Sequence, residues 1–187
     1  MIENIEYFIF DIDGTIVQPW TTNMLRNRRA QLQRLKSQGK KIYLASNQGG
    51  PAYHAWHYYK KDNRHEEYPP LIKTISMMRE ITRMAEAERC YIALHPGADE
   101  VAQEVLNRIT TKTDQIQYWI GDTIRSSWRP SWRKPAPGMI IAIMEEERGD
   151  REKYIYIGDE TRDLLTAENA GIRFMDSDEF FLGRYEA

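Results

Sequence analysis

The stretch YFIFDIDGT, residues 7–15, runs four apolar residues into two aspartates, Asp11 and Asp13, with Gly14 directly behind them. Crowded carboxylates oppose each other's ionisation, so such a pair either sits in water as a turn or holds something that offsets the repulsion. Alone, Asp-x-Asp after a strand is ordinary turn or helix-cap chemistry. Two further clusters change the reading. Ser46 and Asn47 follow the run Lys41-Ile42-Tyr43-Leu44-Ala45, and Gly158-Asp159 follows Tyr154-Ile155-Tyr156-Ile157, with Asp163 four residues on. In open α/β sheets ligands bind beyond the carboxyl ends of the strands, so the three clusters converge on one edge. Several carboxylates there stay ionised only around a cation, and hard oxygen donors select Mg²⁺. An aspartate beside that ion can attack phosphorus to form an acyl phosphate, and a second carboxyl two residues on can act as general acid, then base. Ser46 and Asn47 supply a hydroxyl and an amide. Lys134, in RKPAPGM, supplies an ammonium from a backbone stiffened by Pro135 and Pro137. These are the donors a transferring phosphoryl group requires. Gly14 lets the chain turn sharply and approach a ligand closely.

Short apolar runs alternate with helical patterns along the chain, which predicts βαβ units, an α/β fold and a mainly parallel sheet. Strands are expected at 7–10, 41–45, 91–94, 154–157 and 172–175. Helices are expected at 23–38, where Leu25, Leu32 and Leu35 share a face and Gly39 ends the run, and at 71–88, 99–108, 139–147 and 161–170. Residues 51–70 and 114–135 fit neither pattern; both are rich in aromatic and charged residues. The 187 residues suit one domain, 1–187, with no repeat or linker, and 41% apolar with 29% charged residues is a globular composition. A formal charge of −2 gives no global pull toward nucleic acid or an acidic membrane. Cys90 is the single cysteine, which excludes an intrachain disulfide and a cysteine-rich zinc site and suits a reducing compartment. The N-terminal run shows no signal peptide, and no segment approaches the roughly 20 apolar residues of a membrane span, so the expected location is the cytoplasm.

In this order the motifs resemble the haloacid dehalogenase superfamily of phosphatases, over most of the chain. The resemblance implies a three-layer Rossmann-like fold, with Asp11 in DIDGT as nucleophile and Asp13 as general acid and base. Ser46 in SNQ contacts the phosphoryl group, and Lys134 in RKPAPGM stabilises charge. In GDETRD, Asp159 binds Mg²⁺ and Asp163 supports the site. The implied metal shell is Asp11, the Asp13 carbonyl and Asp159. SNQGG together with RKPAPGM is similar to the subclass of histidinol-phosphate, heptose-bisphosphate and polynucleotide 3′-phosphatases. The first two commonly carry a zinc-binding cysteine cluster before RKP; this chain has none there.

Family members often close a cap over small substrates. Here the interval after the first strand holds a helix and turns only, and the interval from Leu94 to Lys134 is cramped for a second domain, so a nearly capless, open site is expected. An open site suits a phosphorylated substrate as large as a nucleic-acid end or a nucleotide, and also admits small sugar- or amino-alcohol-phosphates. A phosphate-binding module without catalysis is the reading from another class. Trp128, Arg129, Trp132 and Arg133 combine rings with guanidinium groups, which suits substrate contact and equally suits packing under a long loop. His54 and His57 read as ordinary polar residues rather than metal ligands, because no third ligand is evident.

Overall fold

The computed structural model describes residues 2–97, 99–109, 117–118 and 123–183. The chain ends and the parts of the 114–135 stretch at 114–116 and 119–122 lie outside the described residues. Seven strands, β1 (Tyr7–Phe10), β2 (Lys41–Asn47), β3 (Arg89–Ala93), β4 (Gln117–Tyr118), β5 (Ile124–Ser127), β6 (Tyr154–Gly158) and β7 (Arg173–Asp176), form one sheet in the order β4-β5-β3-β2-β1-β6-β7. Every neighbouring pair is parallel except β4 with β5 at the edge. Phe10, the last residue of β1, lies opposite both Leu44 and Ile157, so Asp11 and the residues after it emerge beside Ser46 and Asn47, the last residues of β2, and beside Gly158, the last of β6.

The two-residue period of a strand sends alternate side chains to opposite faces. Phe8, Phe10, Leu44 and Ile92 go to one face. They pack with Leu32 and Leu35 of α1 (Arg28–Ser37), Ile75, Met78 and Ile81 of α3 (Leu71–Met84), and Phe180 of α7 (Ser177–Phe181). Ile9, Tyr43, Tyr91 and Tyr156 go to the other, against Ile140 and Ile143 of α5 (Gly138–Glu147) and Ala167 of α6 (Thr161–Ala170). Burial on both faces explains why the central strands read as unbroken apolar runs. Two more helices, α2 (Gly50–Tyr59) and α4 (Asp99–Ile109), are joined by the Trp56 indole, which donates to Glu104 at 2.8 Å.

Three expectations shift. The first helix begins at Arg28 rather than at residue 23, because residues 16–27 fold back on themselves: Val17 bridges Met24, and Leu25 N–H donates to Ile16 O. The 71–88 helix stops at Met84. The stretch 51–70 becomes α2 and a short 3-10 turn, Asn63–Glu67, and the stretch 114–135 yields β5. β5 carries one aliphatic residue; its buried Arg125 is matched by Glu146 at 3.1 Å, so its burial leaves no apolar signature. No helix among the described residues is long and apolar enough to cross a membrane.

Candidate active site

Asp11 leaves the end of β1 with its N–H donated to Ile157 O. Its Oδ1 is 2.5 Å from Lys134 Nζ, which is also 2.6 Å from Asp163 Oδ1, and all three side chains are buried. Asp159, by contrast, is exposed. One carboxylate oxygen from each of Asp11, Asp159 and Asp163 lies within 4.8 Å of the other two. Three carboxylates and one ammonium leave a formal charge of −2, which one divalent cation cancels. The oxygen-only donor set fits a hard ion such as Mg²⁺. Burial, partly countered by Lys134 and reinforced by Asp163, pushes the Asp11 carboxyl up to about 7. Burial also raises Asp159, against the hydrogen bond from Thr15. Burial works against the Lys134 ammonium as well, but the Asp11 and Asp163 charges prevail and hold it above its ordinary value.

Each member of the cluster is held by a specific neighbour. Gly14 adopts φ +85°, and a Cβ there would stand 2.3 Å from Asp159 Oδ2, so the absent side chain is what lets Asp159 approach β1. The buried Thr15 hydroxyl donates to Asp159 Oδ1 at 3.0 Å. Asp163 and Glu160 form a reciprocal capping box at the start of α6, in which Asp163 Oδ2 accepts the Glu160 N–H. Asp163 therefore caps its helix with one oxygen and meets Lys134 with the other. Asn47, expected on the phosphoryl group, is engaged elsewhere: its Oδ1 accepts the Lys134 N–H at 2.9 Å and its Nδ2 donates to Lys134 O at 3.2 Å. It ties the end of β2 to the backbone of Lys134.

Asp13 points away from this cluster. Its Oδ1 accepts the Trp20 N–H at 2.9 Å and its Oδ2 accepts from Gln48 Nε2, also at 2.9 Å. Gln48 is buried and its amide also lies 3.0 Å from Ser46 Oγ, so one carboxamide links Asp13 to Ser46. Neither Gln48 nor Trp20 was singled out from sequence. Gln48 sits inside the quoted SNQ, whereas Trp20 carries no motif; it holds φ +64° with its indole 68% exposed.

Asp11, Asp13, Ser46, Asn47 and Lys134 line one cleft of about 580 Å³. The segment after β2 walls it, through Tyr53 and Tyr68, whose rings stack 5.2 Å apart. Of the four aromatic and basic residues near RKP, only Arg133 lines it. Trp128 and Trp132 are 4% and 3% exposed and belong to the two cores, so their ring faces are taken by packing and the substrate-contact expectation fails for them. Arg129 is half-buried outside the cleft lining. His54 Nδ1 meets the carbonyls of His65 and Tyr68, and His57 meets Asp62 at 3.2 Å; both fasten the wall rather than gather as ligands.

The family model for haloacid dehalogenase-like hydrolases matches residues 8–176, a span that contains every one of these cluster residues. The chain belongs to that family. No curated protein matches its sequence. Among solved structures, the chain is similar to D,D-heptose 1,7-bisphosphate phosphatase from B. bronchiseptica, a structure complexed with magnesium and phosphate. That likeness has TM-score 0.62 at 17% identity and covers 96% of this chain and 87% of the other. It is also similar to a protein provisionally named a HAD-like phosphatase from Mesorhizobium loti, with TM-score 0.51, 15% identity, and coverage of 90% and 69%. At these identities the likeness is one of fold. In this chain the fold brings the cluster to the carboxyl ends of β1, β2 and β6.

Proposed function

We propose that this hydrolase is a Mg²⁺-dependent phosphomonoesterase that works through an aspartyl phosphate on Asp11. The observation that carries the reading is the separation of the two aspartates of DIDGT. Asp11 is locked to Lys134 in the acidic cluster, while Asp13 is held apart by Trp20 and Gln48 in the same cleft. That is the placement a nucleophile and a separate proton donor need. Asp11 attacks phosphorus in line as Asp13 protonates the departing oxygen. Asp13 then takes a proton from water, which cleaves the aspartyl phosphate and frees Asp11. Ser46 and Lys134 donate to the phosphoryl oxygens through both steps. Asp11, the Asp13 carbonyl and Asp159 would hold the ion, which when bound supplies positive charge to the phosphoryl oxygens. A cleft of about 580 Å³ with Trp20, Tyr53 and Tyr68 on its walls suits a ring-bearing phosphate ester of nucleotide size. A nucleotide or a polynucleotide 3′-phosphate end is therefore the substrate class proposed.

The direct test is hydrolysis of p-nitrophenyl phosphate by purified protein. Turnover should vanish in EDTA and return when excess Mg²⁺ is added. Equal rates with and without chelator would remove the metal from the reading, and no turnover under any divalent ion would remove the phosphatase.

Gln48 gives a finer check. Gln48→Leu should lower kcat/KM about tenfold on an alkyl phosphate, whose alkoxide needs the Asp13 proton. On p-nitrophenyl phosphate the loss should be smaller, because nitrophenolate leaves unprotonated. The same loss on both esters would show that Gln48 merely supports the fold.

A further inference from the structure

We propose that the cleft contains a second anion subsite, formed by Arg133 with Arg162, that recognises a second phosphate or carboxylate on the leaving-group part of the substrate. Its role in substrate choice rests on the phosphomonoesterase reading; its existence rests on the geometry. Arg133 and Lys134 are adjacent, and Arg133 has extended backbone, φ −74° and ψ 122°. Successive side chains in such a segment diverge. Lys134 reaches Asp11, while Arg133 is carried to the residues beyond β3, where its Nη1 donates to His95 O at 2.8 Å. The position is built for it. Gly97 holds φ +86°, and a Cβ on it would meet Arg133 Nε at 2.4 Å. A side chain at 97 would require the guanidinium to shift.

Among the described residues Arg133 makes no ion pair, although it is half-buried and lines the reaction cleft. Glu160, which also lines the cleft, is engaged by Arg162. Burial, and then the neighbouring Arg162 charge, hold Arg133 below its ordinary value. Arg162 already has Glu160, so the cation left unmatched is Arg133, and a cation drawn partly out of water is costly unless an anion joins it. Guanidinium groups match phosphate and carboxylate with paired N–H donors. The cleft thus presents two anion sites: the phosphoryl site at Asp11, Ser46 and Lys134, and a second site where Arg133, anchored beyond β3, and Arg162, at the start of α6, line the same cleft. The second anion can come from a small bisphosphate or from the next phosphodiester of a 3′-phosphorylated oligonucleotide.

The test is equilibrium binding to Asp11→Asn protein in Mg²⁺, by calorimetry, so that no turnover intervenes. Three pairs are compared: a nucleoside 3′,5′-bisphosphate with the 3′-monophosphate, a 3′-phosphorylated dinucleotide with the same monophosphate, and fructose 1,6-bisphosphate with fructose 6-phosphate. At least one doubly anionic ligand should bind about tenfold or more tighter than its partner, and the pair that shows it names the source of the anion. Arg133→Met in the same background should reduce that ratio to below about threefold, with Arg133→Lys between the two. Ratios near one in all three pairs would overturn the proposal, as would a preference untouched in both Arg133→Met and Arg162→Gln. A binding preference in a chain whose unmutated form hydrolyses no phosphate ester would leave the subsite standing and remove the phosphatase.

Discussion

Asp11→Asn should lower kcat by on the order of 10⁴-fold or more on every phosphate ester the protein hydrolyses, with the fold intact. A carboxamide fills the same space but offers phosphorus no anionic nucleophile. The remaining donors, Ser46 and Lys134, can still bind a phosphoryl group, so KM should change far less than kcat. The substitution should not destabilise the metal-free protein at neutral pH, and the sign follows from burial. The Asp11 carboxyl is pushed up to about 7 in the folded state, from an ordinary value of 3.8. Between those values the fold keeps a proton that the unfolded chain has released, so the contribution of this group to stability falls as pH rises through that window. Asparagine does not titrate. In EDTA, the melting temperature of Asp11→Asn should therefore gain on that of the unmutated protein between pH 5 and pH 7.5. Near-normal turnover in the purified variant would sink the nucleophile assignment. A melting difference that shrinks over that range would instead show that Lys134 outweighs burial.

What the sequence discloses of this molecule follows from where each signal originates. β1, β2 and β6 are buried on both faces, so their residues must be apolar throughout and cannot be mistaken for loop. The clusters that follow them were legible for the same reason, since a strand end in a parallel sheet fixes where Asp11, Ser46 and Asp159 must stand. β5 was not legible, because Arg125 is neutralised by Glu146, on a helix twenty-one residues later in the chain. The aromatic stretches misled in a related way. Composition states that Trp128 and Trp132 are large and apolar, and only packing shows that both rings are enclosed. Asn47 shows the limit most clearly. Its type and position suit an anion, yet its two polar groups are matched by the backbone N–H and C=O of one residue, Lys134, a pairing across 87 residues that no local pattern encodes.

That tie matters because Lys134 is the residue on which the electrostatics of the site turn. Lys134→Met should destabilise the metal-free protein by about 3–5 kcal/mol, the cost of removing one partner from a buried ion pair. At pH 8, above the value of about 7 to which the Asp11 carboxyl is pushed, it strands two carboxylates, Asp11 and Asp163, which are buried and lie close enough to share a cation. Methionine keeps the length and apolar stem of lysine, so the loss comes from charge rather than from a cavity. Mg²⁺ should recover part of it, because the ion and the ammonium neutralise overlapping sets of carboxylates; the unmutated protein should gain less from the same addition. Lys134→Met with Asp163→Asn should regain stability over the single variant, since one of the stranded charges is then gone. Activity should not follow. The double variant still lacks the ammonium that stabilises the phosphoryl oxygens and orients Asp11, and its kcat should stay down by about 10²–10³-fold or more. Urea unfolding of these three proteins in EDTA and in Mg²⁺, read beside their rates on p-nitrophenyl phosphate, separates the two effects. If Lys134→Met proves as stable as the unmutated chain in EDTA, Asp11 and Asp163 are not held as a charged pair around it. The net charge of −2 that calls for a divalent ion would then have to be abandoned.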